Sequence, residues 1–198
     1  MVPDDINSMM TIRFSILIGL IGFLSCDHSY TPKPMGYSRI ATPEKSYVLY
    51  SEQDFYQFEI PVYAVVEIDS GRNTEPGWIN VVFPQLNGTI HLSYKPVSDN
   101  LGEYITDSRT MVYKHIVKAE GIEETPFAYR DRKQFGMVYD LKGDVASAVQ
   151  FFITDSTRHF LRGSLYINSS PNRDSLNPVI DFLREDIIHM IETTEWKY

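Results

Sequence analysis

The clearest candidate for chemistry in this 198-residue chain is its only cysteine, Cys26. A cysteine thiolate is a strong nucleophile and can be modified covalently. One cysteine cannot form an internal disulfide, and it excludes both a Cys-x-x-Cys redox motif and a metal site built from several cysteines. The alternative is that Cys26 is a small buried hydrophobic residue. The sequence around it distinguishes these two roles.

The segment before Cys26 favours covalent modification. An apolar run of 11 residues, Phe14 to Leu24, follows Arg13. The run is too short to span a membrane, which takes roughly 20 residues, but it fits the core of a signal peptide. Two glycines in the run weaken the alternative, a buried N-terminal helix. The run ends in Phe-Leu-Ser-Cys, which is similar to the lipobox of bacterial lipoproteins.

In lipoproteins the cysteine is joined to diacylglycerol by a thioether, the chain is cleaved before it, and its new amino group is acylated. We therefore predict a lipoprotein signal peptide at residues 1–25, with Met1, Met9 or Met10 as the start. Residues 26–36 are the lipid-bearing cysteine and a tether, and residues 37–198 are a single domain. Several acyl chains, each worth about 0.8 kcal/mol per buried methylene, make such an anchor durable.

A second group of polar residues alternates along a predicted strand, with His91, Ser93 and Lys95 on one face. A serine nucleophile needs its base within hydrogen-bonding reach, whereas neighbours on one strand face are about 7 Å apart. No Gly-x-Ser-x-Gly motif surrounds Ser93, so a solvated strand face is favoured. The five histidines lack the spacing of metal ligands, and the sequence has no phosphate-binding or dinucleotide-binding motif. We predict no catalytic residue, no metal and no cofactor.

Four basic residues form a third candidate: Arg158, His159, Arg162 and Arg173 lie near predicted strand and helix ends. The chain has a formal net charge of −8, which argues against nucleic acid as a partner because duplex binders need clustered Lys and Arg. Against this acidic background the four residues are a candidate contact for a protein partner or for anionic lipid head groups. Ordinary balancing of surface charge is the alternative.

Hydrophobic periodicity predicts an α+β fold: a mainly antiparallel sheet with two principal helices packed on it, in a single domain. The helices are expected at approximately Asn100–Ala119 and after a cap at Ser175 or Asn177, with Pro178 in the first turn. Because Pro61 cannot donate to a sheet, its strand is expected at an edge or with a bulge. A Mog1/PsbP-like arrangement has a similar order of elements. The predicted strands are Tyr56–Asp69, Trp78–Pro84, the segment after the Asn87-Gly88 turn, Gly136–Leu141, Ala146–Thr154 and Phe160–Asn168.

Six segments, taken in order, carry a resemblance to a known family. They are CDHSYTPKPMGYSRI, WINVVFP, GTIHLSYK, YKHIVKAEGIEE, VQFFITDSTRHFLRGSLYIN and PNRDSLNPVIDFLREDIIHMIE. Together they resemble the gliding-motility lipoprotein GldD family of Bacteroidota, from Cys26 to about Thr193. Met35 and Gly77 depart from the residues expected of the family, and these departures concern local contacts.

The resemblance implies a cell-envelope lipoprotein needed for gliding motility and for the linked type IX secretion machinery. The family has no established catalytic residues, so only Cys26 is carried over as a functional position. The implied partners are the membrane, through the N-terminal lipid, and other gliding and secretion proteins of the envelope. No acidic run follows Cys26, which favours the periplasmic face and leaves inner and outer membrane open. A non-enzymatic role through protein contacts is expected; the alternative is an envelope enzyme or a small-ligand-binding lipoprotein.

Overall fold

A computed structural model describes residues 41–114, 119–168 and 173–198, with the side chains of all of these except 173–175. Within these ranges the chain forms strands and two α-helices. The strands are β1 Tyr47–Tyr50, β2 Tyr56–Pro61, β3 Val65–Ile68, β4 Ile79–Phe83, β5 Gly88–Pro96, β6 Ala119–Tyr129, β7 Gln134–Gly143, β8 Ser147–Thr154, β9 His159–Ile167 and β10 Glu195–Trp196. The helices are α1 Leu101–Tyr113 and α2 Arg173–Thr193.

The strands form two antiparallel sheets, which confirms the predicted α+β class with two principal helices. The larger sheet has seven strands in the order β3-β4-β5-β9-β8-β7-β6, and the smaller has the order β1-β2-β10. The predicted C-terminal meander is present as β7, β8 and β9, which pair as consecutive neighbours. The Asn87-Gly88 turn is also present, and Asn87 takes the left-handed backbone conformation, with φ 49°, that such turns require.

The large sheet needs a layer on each face, because every residue of β8 is buried. One face packs against α2 and the small sheet in a shared core that contains Phe58, Phe151 and Leu183. The other face packs against α1, where Val112 meets Phe152 in a second, smaller core. A strand that is buried on both faces is stabilised by apolar contacts on each face. The stabilising free energy is about 25 cal/mol per Å² of apolar area removed from water.

Helix α2 carries the apolar seam predicted for it. Leu183, Ile187 and Ile191 are fully buried in the main core. The helix begins at Arg173, however, before the caps expected at Ser175 or Asn177, so Pro178 lies inside it and not in its first turn. Proline lacks the N–H for one helical hydrogen bond. The burial of the seam compensates for that lost bond.

The first helix is shorter than predicted. It ends at Tyr113 instead of Ala119, and Ala119 begins the edge strand β6, which pairs with β7. Residues 115–118, which the predicted helix included, lie outside the described residues. The glutamates and the proline of β6 obscured its strand character, and such residues are typical of edge strands because they oppose pairing with other chains.

The predicted strand Tyr56–Asp69 is two strands in two different sheets. β2 ends at Pro61 and β3 begins at Val65. The expectation of an edge or a bulge was wrong, because β2 is the middle strand of the small sheet. Pro61 lies at the strand end, where its missing donor costs least, and the Ala64 N–H donates to the Pro61 carbonyl at 2.9 Å to form the turn.

A buried carboxylate connects the small sheet and its flanking turn to α2. Asp186 is 1% exposed and accepts hydrogen bonds from the Tyr47 hydroxyl at 2.9 Å, the Tyr63 hydroxyl at 2.5 Å and the Lys45 ammonium at 3.0 Å. Burial, together with the bond to Asp186, raises the pKa of Tyr47 and Tyr63, so both remain donors. Lys45 also donates to the Phe182 carbonyl at 2.9 Å. The start of the described chain is thereby fixed to the middle of α2.

Replacing Asp186 with Asn should lower the free energy of unfolding by about 3 kcal/mol, because it leaves the Lys45 charge without its buried partner. Chemical denaturation followed by circular dichroism measures this change. The matched control is Glu185→Gln, since Glu185 is bonded to the same lysine at 2.8 Å but is 71% exposed. Little change in the free energy of unfolding is expected for Glu185→Gln, because an exposed ion pair contributes little to stability. Equal, small effects of the two substitutions would contradict the assignment.

Candidate functional site

The three polar residues predicted on one face of β5 are present there, but each has a different partner. His91 Nδ1 is 2.6 Å from the Asn80 side-chain oxygen on the neighbouring strand. Lys95 forms an ion pair with Glu75. No hydrogen bond among the described residues joins Ser93 to His91 or to Lys95. The arrangement therefore does not provide a serine with a base in contact.

The residue directly opposite Ser93 in the sheet is Arg162 of β9. The half-buried Arg162 donates from Nη2 to the Gln150 side-chain oxygen at 2.6 Å. Gln150 is 1% exposed, and its Nε2 has no hydrogen-bond partner. Burial lowers the pKa of the Arg162 guanidinium, and the nearby Tyr166 hydroxyl partly offsets this effect. The cation is thus positioned by a neutral amide.

Polar residues continue across this face in register. His91 is paired with Ser164, and Ser164 is paired in turn with Gln150 on β8. Directly paired residues share a face of the sheet. The His91 ring meets the Tyr166 ring edge-on at 5.3 Å, and both residues are exposed. We refer to His91, Ser93, Gln150, Arg162 and Ser164 as the polar strip. It lies on the α1 side of the large sheet and is open to solvent at the His91 end.

A histidine is buried at the end of the large sheet where the C-terminus lies. His159 is 6% exposed and stacks on Trp196, with 5.0 Å between ring centres and 7° between planes. Its Nδ1 is 2.9 Å from the Tyr94 hydroxyl, whereas its Nε2 is buried without a partner. Burial lowers the pKa of His159; the Asp155 charge opposes this shift and the Arg158 charge adds to it. His159 is therefore part of the core packing.

Asp155 organises the turn between β8 and β9. Its Oδ1 accepts from the backbone N–H groups of Thr157 at 3.0 Å, Arg158 at 2.8 Å and His159 at 2.8 Å. Burial alone raises the pKa of Asp155, but these backbone hydrogen bonds outweigh it, and the pKa is lowered. An ionised carboxylate thus holds the turn and fixes where Arg158 emerges.

Positive charge is concentrated at this end of the sheet. The exposed Arg130, Arg132 and Lys133 lie in the β6–β7 turn, and the exposed Arg158 lies in the β8–β9 turn. The ring centre of Tyr198, which is 73% exposed, lies 6.0 Å from the Lys133 ammonium and 5.8 Å from the Arg158 guanidinium. We refer to these five residues as the basic turn cluster. Only Arg158 was identified from sequence. Three members were missed because the β6–β7 turn was not anticipated, and Tyr198 was missed because no sequence signal placed the C-terminus at this end of the sheet.

The three described residues of the predicted contact do not form one surface. Arg158 is exposed, His159 is buried, and Arg162 lies on the polar strip. The side chain of Arg173 and the whole of Cys26 lie outside the described residues. Their roles in partner contact and lipid attachment therefore stay predictions.

In the described part of the chain, no group of three or more His, Cys, Asp or Glu side chains is arranged to hold a metal ion. None of the described helices is both long and apolar enough to cross a membrane.

Comparisons with known proteins give a family and several similar solved structures, of which one is described here. Residues 27–196 match the family described as gliding motility lipoprotein GldD. No curated protein matches the chain. The solution structure of cyanobacterial PsbP (CyanoP) from Synechocystis sp. PCC 6803 is 13% identical, with a TM-score of 0.45 over 79% of this chain and 98% of that chain. It is of the PsbP class named above from element order, and at this TM-score the likeness carries no argument about function.

The buried His159 predicts a pH dependence of stability. The unfolded chain binds a proton at this histidine near pH 6.5, while the folded chain resists protonation until a lower pH. The contribution of His159 to the free energy of unfolding is therefore complete above pH 6.5. It is lost as the pH falls from there towards the pKa of His159 in the folded chain. Urea unfolding between pH 7.5 and 5.5 should show stability decreasing with acidity.

His159→Phe should reduce that slope, whatever its cost to stability at a fixed pH. His91, whose pKa burial also lowers, contributes equally to both proteins and cancels in the comparison. Identical slopes for the variant and the unmodified chain would show that His159 does not titrate on unfolding.

Proposed function

This chain belongs to the gliding motility lipoprotein GldD family, and we propose that it is held in the cell envelope by acyl chains on Cys26 and supports gliding through contacts with other envelope proteins. The match to the family carries this proposal. It covers residues 27–196, so the segment that we propose is removed, residues 1–25, lies outside it. Residues 1–25 are then the signal peptide, residues 26–36 the lipidated tether and residues 37–198 the working domain.

The proposed action extends to the type IX secretion machinery linked to gliding, with the domain facing the periplasm. It is non-enzymatic. Support for that view comes from β5, where His91 contacts Asn80 and Lys95 contacts Glu75, so neither is positioned to activate Ser93. A serine nucleophile needs a base within about 3 Å.

The contact surface we propose is the basic turn cluster. Its four cations are exposed in a chain of net charge −8, and Tyr198, which is 73% exposed, lies within about 6 Å of two of them. Tyrosine and arginine are the residue types that most often dominate binding at protein interfaces. The partner expected from this composition is an acidic face of another envelope protein, and binding to anionic lipid is the competing outcome.

Deletion of the gene should abolish both surface spreading and the release of type IX cargo, and the unmodified gene should restore both. Cys26→Ala should remove labelling by radioactive palmitate and fail to restore spreading, because the thioether has no site of attachment. Ser25→Ala is the matched control: it keeps a small residue before the cysteine and should retain the label. Colony spreading, cargo in the medium and labelled protein on gels are the three measurements.

A deletion strain that spreads and secretes normally would contradict the proposed role. Lost spreading with normal secretion would contradict the link to type IX secretion alone. Undiminished palmitate labelling of the Cys26→Ala protein would contradict lipid attachment at that residue.

A further inference from the structure

Arg162 carries a charge that no described carboxylate neutralises. None of the ion pairs in the described part of the chain includes it, whereas Arg184 pairs with Asp140 at 2.7 Å and Lys95 pairs with Glu75. Moving a cation out of water is costly unless it is paired. In a chain with 26 acidic residues and 18 Lys and Arg, a half-buried arginine without a carboxylate therefore points to a counter-ion from outside the protein.

Gln150 holds the guanidinium in one orientation. Because its side-chain oxygen accepts from Arg162 Nη2 at 2.6 Å, its buried Nε2 is left without a partner. A buried donor without a partner lowers the stability of the folded state. If the Gln150 amide were flipped, its oxygen would no longer face Arg162 and this hydrogen bond would be lost. The position of the guanidinium is thus maintained at a cost to stability, as is common at binding sites.

The surroundings of Arg162 are suited to a polar ligand. Ser93 lies opposite it on β5 and is half-buried, and Ser164 is the next residue of β9 on the same face. A guanidinium has five N–H donors, and Gln150 engages one of them. The exposed His91 and Tyr166 lie at the solvent side of this strip. Arg162 and the two serines therefore lie on one face of the sheet, next to residues that are exposed to solvent.

The charge of the strip selects the ligand. Lys95, on the same face of the sheet, is paired with Glu75, so among the described residues Arg162 is the one cation of the strip without a carboxylate partner. One guanidinium matches one carboxylate, which it binds through two parallel N–H···O bonds. We propose that Arg162, positioned by Gln150 and flanked by Ser93 and Ser164, binds the carboxylate group of a ligand. The carboxylate belongs either to a small free acid or to the C-terminus of a peptide.

Isothermal titration of the full chain in detergent tests the proposal with three probes: succinate, trialanine with a free carboxylate, and trialanine amide. At least one of the first two should bind saturably, and trialanine amide should not. Preference for succinate identifies a small acid as the source, and preference for trialanine identifies a peptide terminus. Arg162→Gln should weaken binding at least tenfold.

Two further variants separate binding from folding. Gln150→Glu keeps Arg162 but supplies an internal carboxylate, so it should abolish binding while the chain remains folded by circular dichroism. Arg72→Gln, which removes an exposed arginine from the loop between β3 and β4, should leave the affinity unchanged. The proposal is overturned if neither acid binds the unmodified chain, if Gln150→Glu binds as well as the unmodified chain, or if Arg72→Gln weakens binding as much as Arg162→Gln.

Discussion

The burial of β8 on both faces is the constraint on which the rest of the structure depends. A strand whose eight residues are all buried needs apolar cover above and below the sheet. On one side α2 and the small sheet provide it, and Asp186 holds these two parts together through its bonds to Tyr47, Tyr63 and Lys45. On the other side α1 packs on the residues around Phe152 and Phe160. The polar strip on that face retains an exposed end at His91.

The two basic features of this acidic chain follow from that layering. Arg158 and Arg162 are four residues apart, which in a strand is a separation of about 13 Å. Arg158 emerges from a turn held by Asp155, at the sheet end where Tyr198 lies. Arg162 lies within the strip and is held by Gln150. One residue is thus suited to an extended protein surface and the other to a single anionic group.

Sequence reasoning succeeded where local signals were strong. The strands β8 and β9 and the helix α2 were predicted from apolar spacing alone, and the turn at Asn87 was predicted from its residue types. It failed where pairing over long distances decided the structure. β6 is a strand because it pairs with β7, in spite of its glutamates, and β2 is central because β10 joins it from the far end of the chain. The burial of Asp186 depends on residues about 120 to 140 positions away.

The unpaired charge of Arg162 is visible only once its neighbours are placed, whereas Cys26 was identified from its immediate sequence context.

The central claim is that the anchored domain acts by contact with an envelope protein at the basic turn cluster. Photo-cross-linking in living cells tests it most directly, with benzoylphenylalanine in place of Tyr198 and, as a control, in place of Met111, which is 43% exposed on α1. The account predicts a discrete cross-linked species from position 198 that contains another gliding or secretion protein, and none from position 111. No protein cross-link from position 198, or the same products from both positions, would contradict it.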